Sequence, residues 1–241
     1  MGKNFIRQCS LVPRIKKSQF DDVASEFLEK YCPEALRIPM AVPIMEIARK
    51  KMGLRIIDRF RLTEDFSVYG MICFNSGLVP IYDKDEDEYR DIKVRRGTIL
   101  IDADTLTKRN VGCLHNTVAH ECVHWYKHSE YHFYQNGIGK STSIAYRYPS
   151  VEKDERFQTD WNDEDWMEWQ ANGIAPRILM PKQTFVLSFN RTLANAATTV
   201  IPQQWVVNKL AEFYQVSKQS AGIRCEELGL SVCPQMTVFK Q

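Results

Sequence analysis

The spacing of apolar residues changes twice along the chain, and it predicts helices, then a small sheet, then helices again. Apolar residues recur at helical spacing from Phe20 to Tyr31, and Pro33 marks the end of this first helix. A second, short helix is expected from Pro43 to Gly53. Four runs rich in β-branched and aromatic residues then predict a small, mostly antiparallel sheet; they are Leu54–Phe60, Val68–Asn75, Leu78–Tyr82 and Thr98–Asp102.

The second half of the chain returns to helical spacing. Helices are predicted from Lys108 to about Lys127 and from Asp163 to about Met180. An irregular stretch with many aromatic residues, from His128 to Asn162, separates them. Two further helices, Pro202–Tyr214 and Ser217–Leu228, are joined by a tight turn. This order of elements predicts an α+β fold.

Composition places the chain among ordinary globular proteins. It has 241 residues, of which 44% are hydrophobic and 26% charged, so a mainly disordered or fibrous chain is excluded. The net charge of +2 gives no strong field that would attract a nucleic acid or a membrane surface. No apolar run reaches the about 18 residues of a membrane-spanning helix, and no secretory signal is apparent. The seven cysteines are odd in number and include no Cys-x-x-Cys pair, so we expect a reducing, cytoplasmic environment without structural disulfides.

The strongest chemical signal is the pattern His120-Glu-Cys-Val-His124 inside a predicted helix. Histidines four positions apart lie on one face of a helix, one turn apart, so both imidazoles can bind one zinc ion. Glu121 leans toward the same side and can reach a water on that ion. Zinc lowers the pKa of such a water toward about 7 and polarises the scissile carbonyl. Glu121 is then the general base, and later the acid that protonates the leaving amine.

A catalytic zinc site also needs a third protein ligand and an open fourth position. His128 follows His124 on the same face, but three histidines spread over two turns of one straight helix cannot all converge on one ion. The metzincin pattern requires Gly and His at the positions of Lys127 and Glu130, so that pattern is absent. A further candidate segment lies downstream, in the helix that is predicted to begin near Asp163.

The downstream motifs resemble those of a known family of peptidases. Glu168-x-x-Ala-Asn172, followed by Ile-Leu-Met-Pro181, is similar to the ImmA/IrrE metallo-endopeptidases, and the resemblance extends from about Pro43 to Leu230. It implies a zincin-like core in which Glu168 is the third ligand of one Zn²⁺, or of Mn²⁺ in its place. It also implies a protein substrate, commonly a helix-turn-helix transcriptional repressor. Asn172, one turn after Glu168, is a candidate to steady a ligand through a hydrogen bond.

The resemblance also suggests how the chain is divided. We expect a zincin-like metallopeptidase domain over residues 1–196 and a C-terminal helix pair over 197–241, packed on the core. Residues 128–162 form an insertion, because the family places its third ligand closer than the 44 positions that separate His124 from Glu168. The insertion is either a lid or binding loop, or a surface elaboration that packs its own aromatic residues. The run Thr98–Asp102 is expected to be an edge strand that holds the substrate backbone in extended form.

The C-terminal helix pair leaves a second function open. Its two helices resemble a helix-turn-helix, so the protein could instead be a non-catalytic DNA- or protein-binding module with a structural or vestigial metal site. The second helix offers only Lys218 and Arg224 as cations, and Glu226 and Glu227 offset them. A helix that reads DNA typically shows a basic footprint. We therefore favour the metallopeptidase over direct nucleic-acid binding.

Overall fold

The structure is a computed structural model that describes residues 12–137, 144–147, 161–196 and 201–232. Its helices are α1 (Phe20–Tyr31), α2 (Ile44–Glu46), α3 (Thr105–Lys108), α4 (Val111–Val123), α5 (Ser129–Gly137), α6 (Asp163–Leu179), α7 (Lys182–Ala194), α8 (Gln203–Tyr214) and α9 (Lys218–Glu227). Its strands are β1 (Arg55–Phe60), β2 (Gly70–Cys73), β3 (Gly77–Asp83), β4 (Glu88–Val94), β5 (Thr98–Asp102) and β6 (Ile144–Arg147). These elements confirm the predicted α+β class. Within the described ranges, no helix combines the length and the apolar character needed to cross a bilayer.

Four strands form the main sheet in the order β1-β5-β2-β6. β1 runs parallel to β5, and β2 runs antiparallel to both of its neighbours. β3 and β4 pair with each other in a separate antiparallel hairpin. The prediction that Thr98–Asp102 is an edge strand is wrong, because this strand is hydrogen-bonded on both sides and all its residues are buried.

The main sheet lies between two apolar clusters. Side chains alternate across a strand, so Ile99 and Ile101 of β5 join a cluster shared with the helices, whereas Leu100 joins a cluster shared with the β3–β4 hairpin. In β2, Ile72 likewise belongs to the helical side and Met71 to the hairpin side. Because both faces of the sheet are covered, its central strands are almost continuously apolar in sequence.

Helices α4 and α6 pack against each other and carry the candidate site. Asn162 fixes the start of α6, since its side chain accepts a hydrogen bond from the backbone N–H of Asp165 at 2.8 Å. α6 then continues through Gly173 and Pro176 to its end. At Gly173 a Cβ would overlap the ring of Phe20, so the glycine permits the close contact between α1 and α6. Glu168 thus lies within a helix that is capped at its start and held by α1 beyond it.

The stretch 128–162 is partly regular, and the prediction that it is irregular is wrong for two segments. The helical path of α4 continues through a π-helical turn, His124–His128, into α5. The strand β6 lies further along and adds an edge strand to the main sheet. Helix and strand are missed because the stretch mixes polar and aromatic residues without one apolar periodicity. The rest of the predicted insertion, at 138–143 and 148–160, lies outside the described residues.

Helices α8 and α9 pack against the helical side of the core. The main apolar cluster, on the helical side of the sheet, includes seven of their residues, which are Val206, Val207, Leu210, Ala211, Tyr214, Ala221 and Cys225. The turn between the two helices lies against the start of α4 at Gly112, where a Cβ would overlap the backbone of Val216 and Ser217. The C-terminal helices therefore support the same helix that carries the histidine motif.

Candidate metal centre

Three metal-ligating side chains converge between α4 and α6. The Nε2 atoms of His120 and His124 are 2.9 Å apart. Glu168 approaches both rings, with Oε2 at 3.3 Å from Nε2 of His120 and Oε1 at 3.0 Å from Nε2 of His124. Within the parts of the chain that the structure describes, this is the only group of three or more His, Cys, Asp or Glu side chains that converge closely enough to share an ion.

The spacing of these donor atoms suits a metal ion. In a tetrahedral site with bonds of about 2.0–2.1 Å, neighbouring donors lie about 3.3 Å apart. The three observed separations, from 2.9 to 3.3 Å, are close to that value. Two imidazole nitrogens and one carboxylate oxygen also leave the fourth position for water or substrate, as in catalytic sites. His120, His124 and Glu168 could therefore hold one metal ion.

The group is closed on the side of the histidines and more open on the side of the glutamate. The side chains of His120 and His124 are each 1% exposed, whereas that of Glu168 is 31% exposed. Burial alone would raise the pKa of Glu168, but the imidazoles of His124 and His120 outweigh it and hold this pKa well below its ordinary value. Glu168 is therefore ionised at neutral pH, as a metal ligand must be.

Glu121 follows His120 on α4 and is fully buried. Its charge acts on Cys73 of β2: burial first, and then the charge of Glu121, raise the pKa of this thiol to about 12. Cys122 is buried in the main apolar cluster, and burial and the same charge raise its pKa as well. Both thiols therefore stay protonated at neutral pH.

A chain of hydrogen-bonding groups leads away from His124. Its Nδ1 lies 3.1 Å from Nδ1 of His128, and Nε2 of His128 lies 3.0 Å from Oε1 of Gln170 on α6. Gln170 in turn donates from Nε2 to the carbonyl oxygen of Pro13 at 2.6 Å. Burial holds the pKa of His128 well below its ordinary value, so this ring is neutral at pH 7. Both histidines lie in a π-helical turn. Such turns are rare in proteins, and those that occur are often found at functional sites.

The sequence motifs did not indicate Gln170. It lies 42 positions from His128 and on another helix, so no spacing rule connects the two residues. Asn172, predicted to steady a ligand, lies one turn beyond Glu168 and is partly buried. Its role stays a prediction, because the hydrogen bonds that run outward from the described site pass through His128 and Gln170 instead.

A comparison with protein families matches residues 82–226 to the peptidase M78 family, described as the IrrE N-terminal-like domain. The match covers more than half of the chain and includes all three converging side chains. The chain belongs to the IrrE N-terminal-like family. The resemblance to the ImmA/IrrE peptidases that the motifs indicated is thereby confirmed. A comparison with curated proteins finds no match.

The IrrE N-terminal-like match begins in β3 and ends in α9. It thus includes α8 and most of α9 along with the helices that carry the site. Family membership and the converging side chains together support a metallopeptidase-like function.

Proposed function

We propose that this IrrE-like protein is a zinc-dependent endopeptidase whose substrate is a protein, namely a helix-turn-helix transcriptional repressor. The observation that carries the proposal is the convergence of His120, His124 and Glu168 at distances that suit a tetrahedral ion, beside the buried Glu121. Zn²⁺ is the preferred ion because two imidazoles and one carboxylate are typical donors of catalytic zinc sites. Mn²⁺, which favours more oxygen donors, is the second candidate.

Each residue of the site has its own role in peptide hydrolysis. When bound, the metal supplies Lewis acidity that activates a water and polarises the peptide carbonyl. The two histidines would hold it through Nε2, and Glu168 would hold it through a carboxylate oxygen. Glu121 accepts the proton of the attacking water and then donates it to the leaving amine. The partly exposed Glu168 marks the side from which a peptide reaches the site, because the histidine side is closed.

DNA binding through the C-terminal helices finds less support. Arg224 of α9 is fully buried and ion-paired with Asp21 and Glu227, so it cannot contact a phosphate group. Lys218 is then the only exposed cation of α9, all of whose residues are described. A helix with a single exposed cation lacks the basic footprint of a DNA-reading element.

A search for new protein N-termini tests the proposal even though the substrate is unidentified. The purified full chain, loaded with zinc, is incubated with a native lysate of the cell from which the gene comes, and new N-termini are labelled and sequenced. We expect cleavage within a helix-turn-helix repressor by the wild-type protein. Glu121→Gln should abolish it, since it keeps the metal ligands but removes the group that carries the proton.

Glu130→Gln is the matched control, because Glu130 is an exposed glutamate on the helix that continues from α4. It should cleave at the wild-type rate. The proposal fails if the zinc-loaded, folded Glu121→Gln protein generates the same N-termini at the same rate. Cleavage confined to proteins of another class would keep the peptidase and overturn the repressor as substrate.

A further inference from the structure

We propose that Gln170 and His128 are positioning residues that determine which nitrogen of His124 carries the proton, and so present Nε2 of His124 to the metal. The inference rests on the proposed function in one respect, namely that the three converging side chains form a metal site. It assigns a role to two buried residues that lie outside the group of three converging side chains.

The atoms that carry hydrogens can be assigned one after another, starting at the backbone of Pro13. Its carbonyl oxygen can only accept a hydrogen bond, so the amide nitrogen of Gln170 must face it, at 2.6 Å. This fixes the orientation of the Gln170 amide and turns Oε1, which is also only an acceptor, toward Nε2 of His128 at 3.0 Å. Nε2 of His128 must therefore carry a hydrogen.

The order continues through the two imidazoles. A neutral imidazole with its hydrogen on Nε2 has a lone pair on Nδ1. That lone pair of His128 lies 3.1 Å from Nδ1 of His124, so His124 must donate from Nδ1. Its Nε2 is then left with a lone pair, and this is the atom that faces both His120 and Glu168. His124, His128 and Gln170 thus each donate a hydrogen bond in the direction that leads away from the three converging side chains.

Because His128 and Gln170 are buried, no other group can easily replace the hydrogen bonds that they make. Both His128 and Gln170 are 0% exposed, so bulk water cannot take over a hydrogen bond that either residue loses. A metal-ligating histidine commonly donates its other N–H to a carboxylate, a backbone carbonyl or water, which sets its tautomer and the direction of its ring. Here a second imidazole accepts that hydrogen, and a glutamine fixed by the backbone sets the tautomer of this second ring.

Zinc affinity tests the inference without any peptidase assay. Competition with a chelator, on the full chain, compares the wild type with Gln170→Leu, which removes the acceptor for Nε2–H of His128. We expect Gln170→Leu to weaken zinc binding about 10–100-fold, the usual effect of losing an outer hydrogen-bond partner. Gln170→Glu keeps an acceptor toward His128, and its second oxygen can donate to the carbonyl of Pro13 when burial keeps the carboxyl protonated, so this variant should recover most of the affinity. Tyr214→Phe is the control, because it removes a buried hydrogen bond to Ser188 at 2.9 Å, outside this chain of groups.

Imidazole ¹⁵N NMR of the metal-free wild-type chain provides a second readout that does not depend on a variant folding. We expect the proton of His128 to be on Nε2. The inference is overturned if that proton is on Nδ1, or if folded Gln170→Leu binds zinc as tightly as the wild type. A wild-type protein that binds no zinc would instead contradict the proposed function, while the NMR measurement would still decide the order of protons.

Discussion

Glu168 is the only carboxylate among the three converging donors, and it approaches both histidines. Glu168→Gln keeps the shape of the side chain but removes its charge. Loss of a residue that hydrogen-bonds to a metal ligand typically lowers metal affinity about 10–100-fold. We expect zinc affinity to fall by more than this in Glu168→Gln, because a direct ligand is weakened. Chelator competition measures the loss. Glu164→Gln is the control, since Glu164 is exposed one turn earlier on the same helix, and equal losses in both variants would contradict the assignment.

The individual residues of the site differ in how far the sequence specifies them. His120 and His124 could be predicted because their spacing on one helix determines a shared face. Glu168 could be predicted only through its family motif, because its approach to the histidines depends on how two helices pack. Gln170 could not be predicted, since its contact with His128 exists only after α4 and α6 have packed.

Helix α9 is fixed to α1 and to the end of α6 by a charge cluster centred on the buried side chain of Arg224. Arg224 binds Asp21 of α1, and it donates to Glu227 at 3.2 Å and to the carbonyl of Met180 at 3.2 Å. We expect Arg224→Leu to lower the free energy of unfolding by about 2–4 kcal/mol. This decrease is smaller than the cost of breaking a fully buried ion pair. The carboxylates of Asp21 and Glu227 stay partly exposed, at 31% and 26%, so water can still solvate them in the variant.

Urea denaturation measures this effect, and Lys218→Leu is the matched control. Lys218 is exposed on the same helix, so its replacement should change the free energy of unfolding by less than about 0.5 kcal/mol. An Arg224→Leu protein as stable as the control would show that the charge cluster does not hold α9 in place.

Whole elements could be predicted where local signals mark both ends. The first helix, with Pro33 beyond it, and the two C-terminal helices agree with α1, α8 and α9 to within about two residues, the usual uncertainty of helix ends. The position of β5 could not be predicted, because strand order depends on long-range pairing and not on the composition of a single run. A run of apolar residues can form either an edge strand that another element covers or a strand in the centre of a sheet.

The stability of the whole molecule should depend on pH through buried histidines. His132 stacks on Phe74 with ring centroids 3.8 Å apart, and burial lowers its pKa to about 3. An unfolded histidine has a pKa of about 6.5. Between these two values the unfolded state binds a proton that the folded state excludes, so stability is complete above pH 6.5 and is lost as the pH falls toward 3.

His132→Leu removes this contribution. Between pH 7 and pH 5 the variant should lose about 2 kcal/mol less free energy of unfolding than the wild type. Urea denaturation in the presence of a chelator measures the difference, so that metal release does not contribute. Phe133→Leu, at an exposed neighbouring position, should keep the wild-type dependence on pH. An unchanged dependence in His132→Leu would mean that His132 does not resist protonation.

X-ray absorption at the zinc edge of the protein loaded with one zinc per chain tests the central claim most directly. The two histidines and Glu168 predict a shell of nitrogen and oxygen donors at about 2.0–2.2 Å, with imidazole scattering from two rings and no sulfur at about 2.3 Å. A sulfur shell, or a single imidazole, would contradict the assigned ligands. A folded chain that takes up no zinc at all would contradict the metal centre itself.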